Sequence, residues 1–230
     1  MKELLEKNKI NYKNVAMYEQ AFVHRSYINE NPKFEMGHNE RLEFLGDSVL
    51  ELIVTDFLYN KFPSHAEGDL TSYRAALVNT NSIGAVAAGL GFNDYLKLSK
   101  GESKDVSGRA RQSILADTYE AFLGAMYLDS GYKTCASFVA TTLLPNTENI
   151  IREGLFKDPK SYVQERSQEK YQLTPVYKVL DESGPDHNKT FKIGIYFGDK
   201  MISEGQGNSK QLAESDAAKN AISKQGWNNN

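Results

Sequence analysis

The chain has 230 residues, 40% of them hydrophobic and 25% charged, with a formal net charge of −3 and one cysteine, Cys135. This composition is typical of a globular protein with one large core or two unequal domains, and it excludes an internal disulfide. No apolar run approaches the roughly 20 residues that a membrane span needs, and residues 1–9 do not resemble a signal peptide, so we expect a cytoplasmic protein without membrane contact. The negative charge means that any contact with nucleic acid must be local or made through divalent cations.

Residues 1–153 have the pattern of a helical domain. Apolar residues recur at helical spacing over long stretches such as 41–62 and 113–128, and short connections containing Gly, Pro or Asn separate them. This part contains no convincing strand pattern. The periodicity lapses around Gly154 and Pro159, which predicts a linker over residues 154–159.

Residues 160–228 have a different pattern. A short helix is predicted over 161–168, and three strands follow at about 176–179, 191–195 and 201–205. A last helix over 211–224 has Asn208 in the position of its cap. The predicted fold class is therefore multidomain, with an all-α domain followed by an α+β domain of order α-β-β-β-α.

Two acidic residues, Glu43 and Asp47, share one face of a predicted helix with apolar residues. On one helix, Glu43 and Asp47 are one turn apart and share a stripe with Leu50 and Val54. A solvated acidic face is the ordinary interpretation of such a pair. It fits poorly here, because burying two like charges together requires protons, cationic partners or a metal ion.

A second acidic pair, Asp117 and Glu120, lies on a face that continues with small residues such as Gly124. If this face packs against the first pair, four carboxylates converge, with Glu40 at the edge. Such an oxygen-only cluster suits Mg²⁺, with Mn²⁺ as a possible substitute, and phosphodiester hydrolysis is the chemistry that follows. A structural ion-pair network is the alternative from these residues alone.

Two further residues are open to more than one interpretation. His24 has the position of a possible proton shuttle, but we interpret it as a hydrogen-bonded core histidine. Gly46 lies in the middle of a helix, where glycine costs about 1 kcal/mol relative to alanine. It therefore indicates a close contact, which we interpret as a possible subunit interface.

Six motifs in order carry a family resemblance, and they span 21–26, 39–50, 67–71, 107–109, 116–121 and 124–129. They resemble those of the ribonuclease III family, most closely in the segment that runs from Asn39 to Leu50. The resemblance implies that Glu43, Asp47, Asp117 and Glu120 are metal ligands, with Asp47 and Glu120 catalytic.

The resemblance also implies an assembly and a set of further acidic residues. Glu40 and Glu67 fall where the family has secondary acidic residues, and Glu67 would assist across a homodimer. Family members cut opposite strands of double-stranded RNA with their two sites. Phe44, Leu45 and Gly46 would serve the dimer contact.

The C-terminal part resembles the double-stranded-RNA-binding domain. The resemblance implies RNA contacts by two residues of the first helix, one of the first strand–strand loop and two at the start of the last helix: Gln164, Glu165, His187, Ser209 and Lys210. Lys210 opens a helix, where a cation is disfavoured unless phosphate docks there. The family usually has a second lysine where this chain has Gln211, and we therefore expect weak, salt-sensitive binding of RNA.

The expected function is that of a divalent-metal-dependent endoribonuclease acting on double-stranded RNA. The products implied by the resemblance are 5′-phosphate and 3′-hydroxyl ends with short 3′ overhangs. Processing of ribosomal RNA precursors and the processing or decay of messenger RNA are the expected roles. The alternative is a catalytically silent protein that binds double-stranded RNA.

Overall fold

The computed structural model describes residues 1–104, 108–152, 158–185 and 189–227. The chain divides into two compact units, Met1–Ile150 and Ile151–Asn230. The linker expected at 154–159 lies mostly outside the described residues.

The helices before residue 153 are α1 (Lys2–Lys7), α2 (Val15–Ala21), α3 (Arg25–Glu30), α4 (Glu40–Lys61), α5 (Glu67–Leu77), α6 (Thr80–Gly89), α7 (Arg109–Ser130), α8 (Tyr132–Thr142) and α9 (Thr147–Arg152). Three short 3₁₀ turns lie among them, at Phe92–Tyr95, Glu102–Lys104 and Leu144–Asn146. The predicted helical character is confirmed. Among the described residues of this unit, extended pairing is limited to a single parallel bridge between Val23 and Lys97.

Helix α7 lies at the centre of the first unit. Tyr119, Phe122, Leu123 and Met126 are all fully buried, although they point in different directions around the helix. A helix that is apolar on most sides must be enclosed by others, and α4 and α6 are its main neighbours. A polar side chain on α7 therefore reaches solvent only at the margins of this core.

The second unit consists of α10 (Pro159–Tyr171), β1 (Val176–Ser183), β2 (Thr190–Phe197), β3 (Lys200–Gly207) and α11 (Lys210–Lys224). The strands form an antiparallel sheet in the order β1-β2-β3, and both helices contribute to the core against it. The predicted α-β-β-β-α order is confirmed. One detail was wrong: the side chain that caps α11 is Ser209, whose Oγ accepts a hydrogen bond from the amide of Leu212 at 3.2 Å.

The long helices α4 and α7 both contain several charged residues. Within the ranges described above, no helix is both long enough and apolar enough to cross a membrane.

Candidate active site

Helices α4 and α7 touch through their backbones at two glycines. A Cβ atom on Gly46 would overlap the carbonyl oxygen of Glu120, and one on Gly124 would overlap the carbonyl oxygen of Leu42. The close contact expected at Gly46 is therefore confirmed, but its partner is α7 of the same chain. The interpretation of Gly46 as a subunit contact was wrong, because a helix–helix contact within the chain already occupies that face.

This close approach brings three carboxylates together. Oxygen atoms of Glu43, Asp117 and Glu120 lie within 4.8 Å of one another, and all three residues are half-buried. In the part of the chain that the structure describes, no ion pair joins any of them to a basic side chain. The arrangement is one that needs protons or a metal ion to be stable.

The electrostatics of the cluster reflect this crowding. Burial, together with the charges of Asp117, Glu40 and Asp47, raises the pKa of Glu43 to about 7. Burial and the charges of Asp47, Asp117 and Glu43 raise the pKa of Glu120 to about 8. Burial also raises the pKa of Asp117, although the nearby His24 imidazole partly offsets the effect.

The two other acidic residues predicted for α4 lie at the margin of the cluster. Asp47 is exposed and does not belong to the group of three, but its charge acts on both Glu43 and Glu120. Glu40 forms an ion pair with Arg25 at 3.3 Å, and its other oxygen lies 3.7 Å from Nδ1 of His38. The predicted convergence of four carboxylates is thus observed for three, with the fourth within electrostatic range.

Two further residues singled out in the sequence have clear positions. His24 is half-buried and caps α3, with its Nδ1 hydrogen-bonded to the hydroxyl of Ser26 at 2.8 Å. It is therefore a helix cap beside Asp117 and not a core histidine. Glu67 begins α5, where it is exposed and accepts a hydrogen bond from the hydroxyl of Thr71 at 2.9 Å, and it is not part of the cluster.

In the second unit, the predicted RNA-binding residues lie on two helices. Gln164 and Glu165 of α10 line an open cavity of about 390 Å³. Ser209 caps α11, and Lys210 follows it with its Nζ 5.7 Å from the centre of the Phe191 ring. His187 lies outside the described residues.

One residue of the site was missed by sequence reasoning. Asn39, the residue before α4, is buried and hydrogen-bonded to a segment 18 residues earlier in the chain. Its position in the motif was visible in the sequence, but the partner of its side chain was not.

The geometry agrees with comparisons to known proteins. The "Ribonuclease-III-like" family model matches residues 14–147, and the "Double-stranded RNA binding motif" model matches residues 159–225. The fold and the site therefore define a class of protein, in which a helical nuclease unit precedes a unit that binds double-stranded RNA. The carboxylate cluster of this class of site is suited to a divalent metal ion.

Individual relatives support the same assignment over nearly the whole chain. Ribonuclease 3 of Enterococcus faecalis is 44% identical over 223 residues, which cover 96% of this chain and 95% of the relative. Ribonuclease 3 of Streptococcus mutans is 43% identical, and the match covers 97% and 96%. The nuclease domain of ribonuclease III from Campylobacter jejuni superposes with a TM-score of 0.56 at 34% identity, over 63% of this chain and 96% of that one. The chain belongs to the ribonuclease III family of endoribonucleases.

Proposed function

We propose that the chain hydrolyses phosphodiester bonds within double-stranded RNA and leaves 5′-phosphate and 3′-hydroxyl ends with short 3′ overhangs. The observation that carries this proposal is the convergence of Glu43, Asp117 and Glu120 within 4.8 Å, without an ion pair to a basic side chain among the described residues. A cluster of carboxylate oxygens without histidine or cysteine favours a hard divalent cation, and such cations serve phosphoryl chemistry.

The donor set fits Mg²⁺, with Mn²⁺ as a substitute. Mg²⁺ binds through a few carboxylates and keeps several waters, and the three half-buried side chains offer such an incomplete shell. When bound, a divalent ion activates water, orients the scissile phosphate and stabilises the charge that develops on the leaving oxygen. The raised pKa values of Glu43 and Glu120 mean that both carboxyl groups release protons when they bind a cation.

The acidic residues differ in exposure, and we propose different roles for them on this basis. Glu43, Asp117 and Glu120 would hold a divalent cation through their carboxylate oxygens. Asp47 is exposed beside them, where its carboxylate is open to solvent and to substrate. We assign Asp47 to catalysis on this ground, Glu120 to catalysis on the family resemblance, and all four residues to metal binding.

Binding of the RNA duplex belongs to the second unit in this proposal. Gln164 and Glu165 lie beside an open cavity on α10 and can reach 2′-hydroxyl groups in a minor groove. Ser209 and Lys210 stand at the start of a 15-residue helix, whose free N–H groups favour a phosphate. The role of His187 rests on the family resemblance alone.

We further propose that the protein acts as a homodimer, with each site cutting one strand. Three large apolar side chains on one side of α4, Phe44, Leu52 and Tyr59, are between 57% and 79% exposed. Large apolar side chains exposed together on one helix face favour an interface. In the nuclease domain of C. jejuni ribonuclease III, a structurally flexible region is involved in dimer formation. In such a dimer, Glu67 would serve the site of the second copy.

The biological role is also part of the proposal. The relatives described above come from bacteria, where RNA is made in the cytoplasm. We propose that the protein acts there in the processing of ribosomal RNA precursors and in the processing or decay of messenger RNA. We place the domain boundaries at 1–153 and 160–228, with 154–159 between them.

The test is cleavage of a labelled, perfectly paired RNA of a few helical turns. The wild type and Asp47→Ala are incubated with Mg²⁺, with Mn²⁺ and with a chelator, and duplex binding is measured in parallel. We expect short duplex products only with metal and wild-type protein, whereas Asp47→Ala still binds.

Another outcome would favour the alternative function. If the wild type bound the duplex but did not cut it with either metal, the protein would be a catalytically silent binder of double-stranded RNA. The carboxylate cluster would then be structural.

A further inference from the structure

Asn39 is the residue before α4, and it is almost completely buried, with 3% of its surface exposed. An asparagine in this position usually accepts a hydrogen bond from the first turn of the helix through its side chain. The Asn39 side chain makes no such bond. The backbone carbonyl of Asn39 instead accepts bonds from the amides of Leu42 and Glu43 at 2.9 and 3.0 Å. The side-chain amide is therefore available for another contact.

That contact joins the start of α4 to an earlier part of the chain. The Nδ2 group of Asn39 donates to the carbonyl of Ala21 at 3.1 Å, and its backbone amide donates to the carbonyl of Val23 at 2.9 Å. One residue earlier, the carbonyl of His38 accepts a bond from the side chain of Gln20 at 3.3 Å. Three hydrogen bonds thus attach residues 38–39 to the segment 20–23.

The segment that receives these bonds is itself held firmly. Ala21, Phe22 and Val23 are buried to within 1% of their surface. The amide of Lys97 donates to the carbonyl of Phe22 at 2.8 Å, and the amide of His24 donates to the carbonyl of Lys97 at 3.1 Å. Residues 21–24 therefore form a fixed support in the core, and a helix end attached to them has little freedom to move.

We infer that Asn39 is a positioning residue for the metal site, because its two bonds to Ala21 and Val23 fix the first turn of α4. The glycine contacts at Leu42 and Gly46 set the distance between α4 and α7, whereas the Asn39 bonds attach the residue that precedes the helix to the segment 21–23. The end of α4 that carries Glu43 is held by Asn39, whose carbonyl accepts directly from the amide of Glu43. Loss of this attachment allows the Glu43 carboxylate to move away from Asp117 and Glu120.

The inference rests on the proposed metal site, and direct metal binding tests it without reference to catalysis. Mn²⁺ is titrated into the full chain and followed by electron paramagnetic resonance, for the wild type, Asn39→Ala and Asn79→Ala. Asn79 is the matched control: it caps α6 through its Oδ1, and its Nδ2 donates to Ala76 at 2.8 Å. We expect Asn39→Ala to weaken Mn²⁺ binding about 10-fold. Asn79→Ala, which removes an exposed helix cap, should retain wild-type affinity.

Kinetics provide a second measurement that a purely structural role would not change. For Asn39→Ala, we expect the Mg²⁺ concentration for half-maximal cleavage to rise about 10-fold, with most of kcat recovered at excess Mg²⁺. The KM for duplex RNA should stay near the wild-type value. A wild type that binds Mn²⁺ but cuts no duplex would contradict the proposed function and leave the inference about Asn39 standing.

Equal Mn²⁺ affinities for Asn39→Ala and Asn79→Ala would overturn the inference. If Asn39→Ala does not fold, Asn39→Ser and Gln20→Ala test the same attachment. Serine is too short to reach the carbonyl of Ala21, and Gln20→Ala removes the neighbouring bond to His38. We expect both to weaken Mn²⁺ binding, and wild-type affinity in both would equally overturn the inference.

Discussion

Helix α7 carries acidic side chains in its middle and in its last turn, and the protein surrounds the two groups in opposite ways. In the middle of the helix, Asp117 and Glu120 face Glu43, and burial raises the pKa of all three carboxyl groups. In the last turn, Asp129 is also buried, with only 7% of its surface exposed. Its pKa is nevertheless lowered.

The difference lies in the hydrogen-bond donors. Burial by itself would raise the pKa of Asp129, but the backbone amides of Lys13 and Asn14 donate to its carboxylate at 2.9 and 2.8 Å. The hydroxyls of Ser130 and Tyr18 donate at 2.9 and 3.4 Å. Asp129 is therefore a structural carboxylate that ties the segment before α2 to α7. In the middle of α7 the carboxylates instead face one another, which is stable only with protons or a cation.

The largest effect that would test this contrast is on cleavage. Glu120→Gln keeps the shape of the side chain but removes the charge that would ligate a cation. We expect kcat on duplex RNA in Mg²⁺ to fall about 1000-fold, equivalent to about 4 kcal/mol of transition-state stabilisation. Thermal unfolding in a chelator should show a stability equal to or above that of the wild type. Normal cleavage by this variant would mean that the cluster is not the active site.

For Asp129, in the last turn of α7, we expect the opposite result: a loss of stability without a loss of cleavage. Asp129→Asn replaces an acceptor of several hydrogen bonds with an amide whose NH₂ group faces N–H donors. We expect the free energy of unfolding, measured in urea, to fall by about 2–3 kcal/mol. Cleavage per folded molecule should stay at the wild-type level. If Asp129→Asn were fully folded but had lost cleavage, Asp129 would not be a purely structural carboxylate.

The next prediction concerns the helix contact that creates the cluster. Gly124→Ala would place a methyl group against the backbone of α4 at Leu42. We expect a loss of about 1–3 kcal/mol in stability, because the helices must separate, together with a loss of cleavage. Gly89→Ala is the matched control, since a Cβ there meets nothing within 4 Å. Its activity should be normal, and equal behaviour of the two variants would exclude helix spacing as the cause.

Much of this site could be predicted from residue spacing. The i, i+3 and i, i+4 acidic pairs and the small residues after Glu120 predicted that two helices meet with their carboxylates facing. Spacing could not predict which carboxylates would be half-buried, because packing sets the rotation of α4 about its axis. In the observed rotation, Asp47 is exposed. Spacing also could not predict that Gly46 contacts the backbone of Glu120. The sequence interpretation assigned Gly46 to a subunit contact.

Contacts between distant parts of the chain account for the rest. The two backbone amides that donate to Asp129 belong to residues 115 and 116 positions away, and the side chain of Asn39 donates to a carbonyl 18 positions away. No local pattern encodes such pairs. The same limit explains why His24 was interpreted as a core residue, although it caps α3 beside Asp117. Local periodicity predicts which residues share one face of a helix, whereas the tertiary fold determines which part of the chain that face contacts.

The smallest expected effect is the dependence of stability on pH in the presence of a chelator. The ordinary pKa of a glutamate carboxyl is 4.5, and in the folded protein the values for Glu43 and Glu120 are about 7 and 8. Between these limits the folded state binds more protons than the unfolded state, so its stability falls as the pH rises. We expect the melting temperature to fall by a few degrees from pH 5 to pH 8. Saturating Mg²⁺ should reduce that fall, since the cation replaces the protons.

Two variants separate the contributions of the middle and of the last turn of α7 to this pH profile. Glu120→Gln should flatten the fall between pH 5 and pH 8, because one of the raised groups is removed. Asp129→Asn should leave the fall unchanged, because a lowered pKa stabilises the fold above the ordinary value of 3.8 and is lost only at lower pH. A wild-type melting temperature in chelator that stayed constant from pH 5 to pH 8 would show that the three carboxylates are not crowded in solution. The contrast between the three carboxylates with raised pKa values and Asp129 would then no longer hold.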